Sequence, residues 1–470
     1  MSSICQSNVT SGFVDLATFD ELEKYMYGGP DAVAYFVRET RKSTWFTQVP
    51  VVLSRSSGNA YFGSEWSVSI SRAGDYLMST WLRLTTPKIT PKFGGNENLR
   101  IRWTRNFMHN IIHDCCITFN DLVAARFDNF HLDFWSAFTV PAGKRTGYSN
   151  MIGNFDELTA PHSNVPGVAS AGECIPAFTL NLPLPFFFSR DSGVALPTAA
   201  LPYNDMRIQF SFRDWTQLLI VDDLSPAVLA GPAKHSRAAI SEDVEGIPVL
   251  NNVQVWANYA IVSNDERKRM ACAPRDMLIE QVQSVRNQTF SPATDSSPRY
   301  DLRFSHAIKV MFFAARNNSV PSQWSNYTSG SPVPSEAAVN FNPSGSTDPI
   351  LQTSIIYENT NRLAQMGSDY FSLVNPWYHA PAIPLETGYH MYSYSLDFIS
   401  LDPMGSTNYG KLTNVSIVPE GSADAIAAAA GAPGTPGTGV TFAQSWDFVT
   451  TVINNNIIRI SGGALGFPVL

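Results

Sequence analysis

The chain contains one strand pattern twice, at positions a whole domain apart. Trp66–Leu84 reads WSVSISRAGDYLMSTWLRL, and Tyr300–Asn318 reads YDLRFSHAIKVMFFAARNN. Aligned without a gap, the two segments match in residue class at Trp66 with Tyr300, Val68 with Leu302, Ile70 with Phe304, Ser71 with Ser305, Ala73 with Ala307 and Met78 with Phe312. Alternation of apolar and polar residues is typical of a half-buried strand. The separation is far too long for a solenoid repeat, so the pattern predicts two similar all-β domains in tandem.

The two halves also share the order of their later elements. The first half has predicted strands at Leu180–Phe188, Met206–Phe212 and Val253–Val262, and the second at Met391–Ile399, Leu412–Val418 and Trp446–Ile460. Many short strands, long Gly/Pro loops and no βαβ rhythm favour sandwich or jelly-roll barrels. We therefore expect an N-terminal arm and short helix at 1–30, a first jelly-roll domain at 31–264, a charged linker at 265–274 and a second jelly-roll domain at 275–470.

Three local patterns lead to further expectations. Phe13–Tyr27 has helical apolar spacing and is followed by Gly28-Gly29-Pro30, so we expect one short helix after a polar arm at Met1–Thr10. Aromatic and branched residues at Ala34–Val37 and Thr44–Phe46 predict strands. The low-complexity stretch AIAAAAGAPGTPGTG at 425–439 predicts an exposed, mobile loop, because Pro and Gly disfavour a regular helix across most of it.

Composition favours large buried sheets and broad contact surfaces. The chain has 29 Phe, 17 Tyr and 10 Trp but only 15% charged residues. The net charge of −8 and the lack of a basic stripe argue against direct nucleic-acid binding. We expect reduced thiols, because the five cysteines include the adjacent Cys115 and Cys116 and show no framework spacing. No signal peptide and no transmembrane helix are expected.

Few residues suggest catalysis or metal binding. His109-x-x-x-His113-Asp114-Cys115-Cys116 has ligand spacing, but no distant Cys/His pair completes a zinc site, so we expect these side chains to be structural. A nucleophile elbow and a phosphate-binding loop are absent, and the acidic residues are scattered. We expect no catalytic residue, metal, cofactor or small-molecule substrate. Five glycosylation sequons at Asn8, Asn287, Asn317, Asn326 and Asn414 are close to the number expected by chance, and we expect them to be unused.

Longer segments carry a resemblance to a known family. The chain resembles the major capsid proteins of the iridoviruses, among the large nucleocytoplasmic DNA viruses, and more closely those of the invertebrate viruses than those of the ranaviruses. The resemblance spans most of the chain and rests on residues 11–32, 62–77, 117–141, 182–206, 253–270, 358–376 and 401–419, which include SGFVDLATFDELEKYMYGGPDA and LDPMGSTNYGKLTNVSIVP.

The resemblance implies a double jelly roll, with two eight-stranded barrels in each subunit. It further implies homotrimers of pseudo-hexagonal outline that tile an icosahedral shell over an internal lipid membrane. The implied partners are neighbouring capsomers and minor capsid proteins, with assembly in the host cytoplasm. Because jelly rolls also serve lectins, a glycan-binding attachment protein is the main alternative, and a β-sandwich glycoside hydrolase is a third.

Overall fold

The computed structural model describes residues 9–225, 236–330, 347–431 and 443–468. The chain divides into two units, Met1–Trp45 and Phe46–Leu470. The helices are α1 Val9–Ala17, α2 Glu21–Met26, α3 Phe107–Asn110, α4 Asn129–Thr139, α5 Ala142–Ile152, α6 Asp156–Thr159, α7 Asn264–Cys272, α8 Asn375–His379 and α9 Ala423–Ala430.

Most of the regular elements described in the second unit are strands. Those of the first half are β1 Phe46–Val52, β2 Ser54–Gly58, β3 Glu65–Ser69, β4 Tyr76–Thr85, β5 Leu99–Trp103, β6 Ile112–Phe119, β7 Leu122–Phe127, β8 Thr179–Pro183, β9 Met206–Phe212, β10 Leu219–Asp223, β11 Ser236–Ala238 and β12 Asn251–Val262. Those of the second half are β13 Arg275–Ser284, β14 Gln288–Phe290, β15 Tyr300–Asp301, β16 Ala307–Asn317, β17 Ile350–Tyr357, β18 Thr360–Gly367, β19 His390–Ser393, β20 Thr407–Asn408, β21 Val415–Gly421, β22 Trp446–Ser461 and β23 Ala464–Gly466.

The two halves have the same sheet topology. In the first half one sheet has the order β1-β12-β4-β8, and its counterpart in the second half has the order β13-β22-β16-β19. The facing sheets have the orders β2-β3-β9-β6-β7 and β15-β21-β17-β18. Within each half, most connections between consecutive strands of these sheets thus cross from one sheet to the other, as in a jelly roll. The predicted all-β double jelly roll is confirmed, and the first half adds a small sheet β11-β10-β5.

The repeated segment occupies equivalent places in both halves. Its first part forms β3 in the first half and β15 in the second half, and these two strands lie in equivalent sheets. Its second part forms β4 in the first half and β16 in the second half, in the two facing sheets. Both halves also contain a two-residue hairpin, between β6 and β7 and between β17 and β18. The central residues have positive φ in both hairpins, the geometry that suits the right-handed twist of strands: Asn120 (51°), Asp121 (63°), Glu358 (48°) and Asn359 (63°).

The N-terminal unit contains two helices rather than the single helix predicted. The helix α1 ends at Ala17, and the hydroxyl of Thr18 donates to the Asp15 carbonyl oxygen at 2.6 Å. Asp20 is the N-cap of α2, and its backbone N–H donates to the Glu23 carboxylate at 3.2 Å. The predicted polar arm at Met1–Thr10 lies partly outside the described residues, and α1 already includes its last two positions.

One predicted strand is absent, and the predicted linker is helical. Ala34–Val37 forms no strand, because strand propensity alone supplies no partner for the backbone, and the first strand begins at Phe46. The segment predicted as a charged linker at 265–274 is largely the helix α7, with Asp265 and Glu266 in its first turn. The domain boundaries placed around it stay a prediction.

The low-complexity stretch also begins as a helix instead of a loop. The Ser422 hydroxyl caps α9 by accepting from the Ala425 N–H at 3.2 Å, and Gly431 ends it with φ 72°. A run of alanines has the highest helix propensity, which explains the helix up to Ala430. Residues 432–439 of the predicted loop lie outside the described residues.

The end of the chain folds back on the first half. β23 pairs with the end of β22 through a turn at Gly462-Gly463, with φ 62° and 81°. The Leu465 N–H donates to the Asn204 side-chain oxygen at 3.2 Å. A Cβ at Gly463 would lie 2.8 Å from the Tyr203 ring, so glycine permits this close approach.

Candidate functional site: the junction between the two halves

An aromatic helix joins the two jelly rolls. The Asp128 carboxylate caps α4 by accepting from the His131 N–H at 3.0 Å. Phe130, Phe134 and Phe138 recur every four residues, so they share one face of the helix. That face packs on the second half, where Phe312 of β16 lies 5.7 Å from Phe134 and 5.4 Å from Phe138 between ring centroids. These three phenylalanines form one buried apolar cluster with residues of β16, β19 and β22. The junction is therefore a third apolar core beside those of the two halves.

Asp133 binds groups from both halves at the centre of this junction. Its fully buried carboxylate lies 2.8 Å from His109 Nδ1 and accepts from the hydroxyls of Ser325 and Tyr327, each at 2.8 Å. The other ring nitrogen of His109 lies 2.6 Å from the Tyr148 hydroxyl. Burial and the nearby Asp133 charge raise the pKa of Tyr327 well above its usual value, so its phenol stays protonated and donates.

Two arginines make cation–π contacts with Trp324 next to this network. The guanidinium of Arg213, from the first half, lies 4.0 Å from the indole ring, and that of Arg316, from the second half, lies 3.8 Å from it. Burial lowers the pKa of each to about 10, so both remain charged at neutral pH. Cation–π contacts in a desolvated site are worth about 2 kcal/mol, so this stack holds the halves together.

A buried charge cluster forms the other side of the junction. Glu280 of β13 pairs with Arg190 of the first half at 2.9 Å and with Lys309 of β16. Arg190 also stacks over Trp135 of α4, 3.8 Å from the ring centroid. Breaking a buried pair leaves an unpaired charge, so this cluster penalises any displacement of one half from the other.

The residues with metal-ligand spacing do not converge. His109 points into the junction, whereas His113 is exposed on β6 and Cys115 is buried beneath the sheet. Burial raises the pKa of the Cys115 thiol well above its usual value, which disfavours a thiolate. Within the described residues, no group of three His, Cys, Asp or Glu side chains could hold a metal ion, and the four described cysteines are free thiols.

The sequons differ sharply in accessibility. Asn317 and Asn326 are buried and hydrogen-bonded near the junction, whereas Asn287 and Asn414 are exposed. Asn8 lies outside the described residues.

Among the described residues, no helix combines the length and apolar character needed to cross a bilayer.

Local sequence patterns do not reveal the junction. Asp133 and its partners Ser325 and Tyr327 are nearly two hundred positions apart, so no local pattern connects them. The spacing of Phe130, Phe134 and Phe138 was the one available signal.

An open groove of about 550 Å³ runs along the junction beside α5, between Tyr148 and Glu386.

Family comparisons cover nearly the whole chain. The model described as "Major capsid protein N-terminus" matches residues 34–262, and the one described as "Large eukaryotic DNA virus major capsid protein" matches residues 266–466. The major capsid protein of Costelytra zealandica iridescent virus is 62% identical over 468 residues and 100% of both chains. That of Frog virus 3 (isolate Goorha) is 44% identical over 473 residues and 100% of both chains.

Solved structures share the fold at much lower identity. PBCV-1 VP54, fitted into a reconstruction of the virophage Sputnik, matches with a TM-score of 0.72 at 20% identity, covering 93% of this chain and 100% of that one. The Faustovirus major capsid protein matches with a TM-score of 0.69 at 11% identity, covering 94% of each chain. With two matching family models and relatives that align over their full length, the chain belongs to the iridovirus major capsid proteins, within the large eukaryotic DNA virus capsid family.

Proposed function

We propose that three copies of this chain form a capsomer of pseudo-hexagonal outline, and that such capsomers tile an icosahedral shell. The observation that carries the proposal is the shared strand order of the two halves, since three copies then supply six similar jelly rolls. As a member of its family, the chain is a structural protein of the virion and associates with further copies of itself.

The buried junction suits this architectural role. Lattice contacts load a subunit mechanically, and an aromatic core, a buried carboxylate network and a charge cluster all resist separation of its halves. The low charged fraction of 15% limits repulsion between closely packed copies. The role requires no catalytic residue and no cofactor.

The proposal is tested by the solution mass of the purified protein. Light scattering should give about three times the chain mass of 51.7 kDa. A folded monomer that binds glycans on an array would instead support the attachment-protein alternative.

We further propose that the N-terminal unit contacts minor capsid proteins, and through them the internal membrane, beneath the shell. Its helices carry exposed apolar side chains, among them Phe13 (68%), Leu22 (66%) and Tyr25 (91%), and the following segment exposes Tyr35 and Phe36. Apolar side chains exposed at this density usually mark a protein–protein or membrane contact.

Deletion of residues 1–27 tests this second proposal. The truncated protein should still form trimers, because the deletion leaves Phe46–Leu470 intact, but it should fail to assemble shells in infected cells. Intact shells from the truncated protein, counted by electron microscopy against wild type, would contradict it.

A further inference from the structure

We propose the pair of surfaces that joins neighbouring copies in the capsomer. The β18 edge and the helix α8 of one copy pack against the outer face of β1, β12 and β4 of the next copy. The inference rests on the proposed trimer and names its contacts, with a second copy of this chain as the occupant of both surfaces.

The junction inside the chain provides the template. There the first half presents its edge strand β7 and the helix α4 that follows it. They pack on β13, β22 and β16 of the second half: Gln281 of β13 donates to the Ala124 carbonyl oxygen of β7 at 2.8 Å, and Phe312 of β16 stacks on α4. The shared topology assigns a counterpart to each element, namely β18 and α8 for β7 and α4, and β1, β12 and β4 for β13, β22 and β16.

On the helix side, the apolar residues of α4 are buried, whereas their counterparts at α8 are exposed. Phe134 and Phe138 of α4 are buried in the junction. In the second half, the turn Tyr370–Val374 and α8 follow β18, and Val374 and Tyr378 repeat the four-residue spacing while being 42% and 74% exposed. This surface therefore has the apolar spacing of a helix face that packs on a sheet, but nothing in the described part of the chain buries Val374 and Tyr378.

The strand side shows the same contrast. Met277 and Ile279 of β13 are buried against the first half, whereas every residue of β1 except Val51 is exposed. Pairing places Val52 of β1 on the same side of the sheet as Trp256 of β12. Trp256 in turn stacks on Trp81 of β4, with ring centroids 6.1 Å apart and planes within 10°. Tryptophan-rich patches are typical of the energetic centre of protein interfaces.

The two surfaces lie on different halves, so the contact is head-to-tail. A head-to-tail contact repeats from copy to copy and closes into a ring when the rotation permits. In this arrangement the junction inside the chain and the contact between chains alternate, and three copies place six jelly rolls in one ring.

Two double variants and one control test the inference by light scattering. Val374→Glu with Tyr378→Glu places charge on the helix surface, and Pro50→Glu with Val52→Glu places charge on the strand surface. Leu351→Glu is the matched control, because Leu351 is 58% exposed but lies in β17, an inner strand of its sheet. Tyr378→Ala is a milder second variant, and circular dichroism checks that each protein folds.

We expect both double variants to be folded monomers of 51.7 kDa, Tyr378→Ala to dissociate at concentrations at which wild type does not, and Leu351→Glu to keep the trimer mass. A folded double variant that keeps the trimer mass would overturn the pairing of these surfaces while the proposed function stands. A wild-type protein that forms no trimer would remove the proposed function itself.

Discussion

At the residue scale, the junction depends on buried polar groups whose partners come from both halves. Asp133→Ala removes the acceptor of the Ser325 and Tyr327 hydroxyls and leaves these buried groups unpaired. We expect a loss of about 3 kcal/mol in the free energy of unfolding, measured by urea denaturation. Asp276→Ala is the control, because its ion pair with Arg459 is exposed, and it should leave the transition almost unchanged. Equal effects of the two variants would contradict the role given to Asp133.

His131 predicts a pH dependence of stability. Burial, with a contribution from the Arg190 charge, lowers its pKa from 6.5 to about 3. The unfolded chain therefore binds a proton on this residue below pH 6.5 while the folded chain does not, so stability falls as the pH drops from 6.5 towards 3. Between pH 7 and pH 5 this amounts to about 2 kcal/mol. In thermal unfolding, His131→Leu should lose less stability than wild type over that interval, and identical losses would contradict the assignment.

At the element scale, α4 is the helix that couples the halves. Phe134→Ala leaves a cavity beside Phe312 and should cost about 3–5 kcal/mol of unfolding free energy. Phe134→Leu, which keeps most of the volume, should cost clearly less. Urea denaturation of both variants checks the order, and a negligible cost of Phe134→Ala would mean that the helix does not hold the halves together.

The final hairpin offers a matched pair of glycines. Gly462 and Gly463 both have positive φ, but a Cβ would collide with Tyr203 only at Gly463. Both alanine variants should therefore strain the turn, and Gly463→Ala should also detach the hairpin from the first half. Hydrogen exchange at the Leu465 amide, which binds Asn204, should accelerate more in Gly463→Ala than in Gly462→Ala. Slower exchange in Gly463→Ala would contradict this docking.

Elements with strong local signals were predictable from the sequence. Met206–Phe212 was placed at its exact bounds, because alternation and flanking turns define a strand locally. Leu180–Phe188 was too long, since Pro183 and Pro185 end β8 early. The junction could not be derived in the same way, because Asp133 and Tyr327 meet only through the packing of two separate sheets.

At the scale of the whole molecule, duplication provides two versions of one surface. The version inside the chain is buried, and the equivalent version is exposed on β1, β18 and α8. In the proposed trimer, each subunit therefore contributes one contact inside the chain and both sides of a contact between chains. This arrangement would let a protein with two jelly rolls build a ring of six without a second gene product.

Electron microscopy of the purified protein, viewed along the symmetry axis, tests the proposed capsomer most directly. We predict threefold symmetry with six lobes of similar size in one closed ring. A particle with two lobes, or three copies joined in any arrangement that leaves the exposed β18 edge and α8 uncovered, would contradict it.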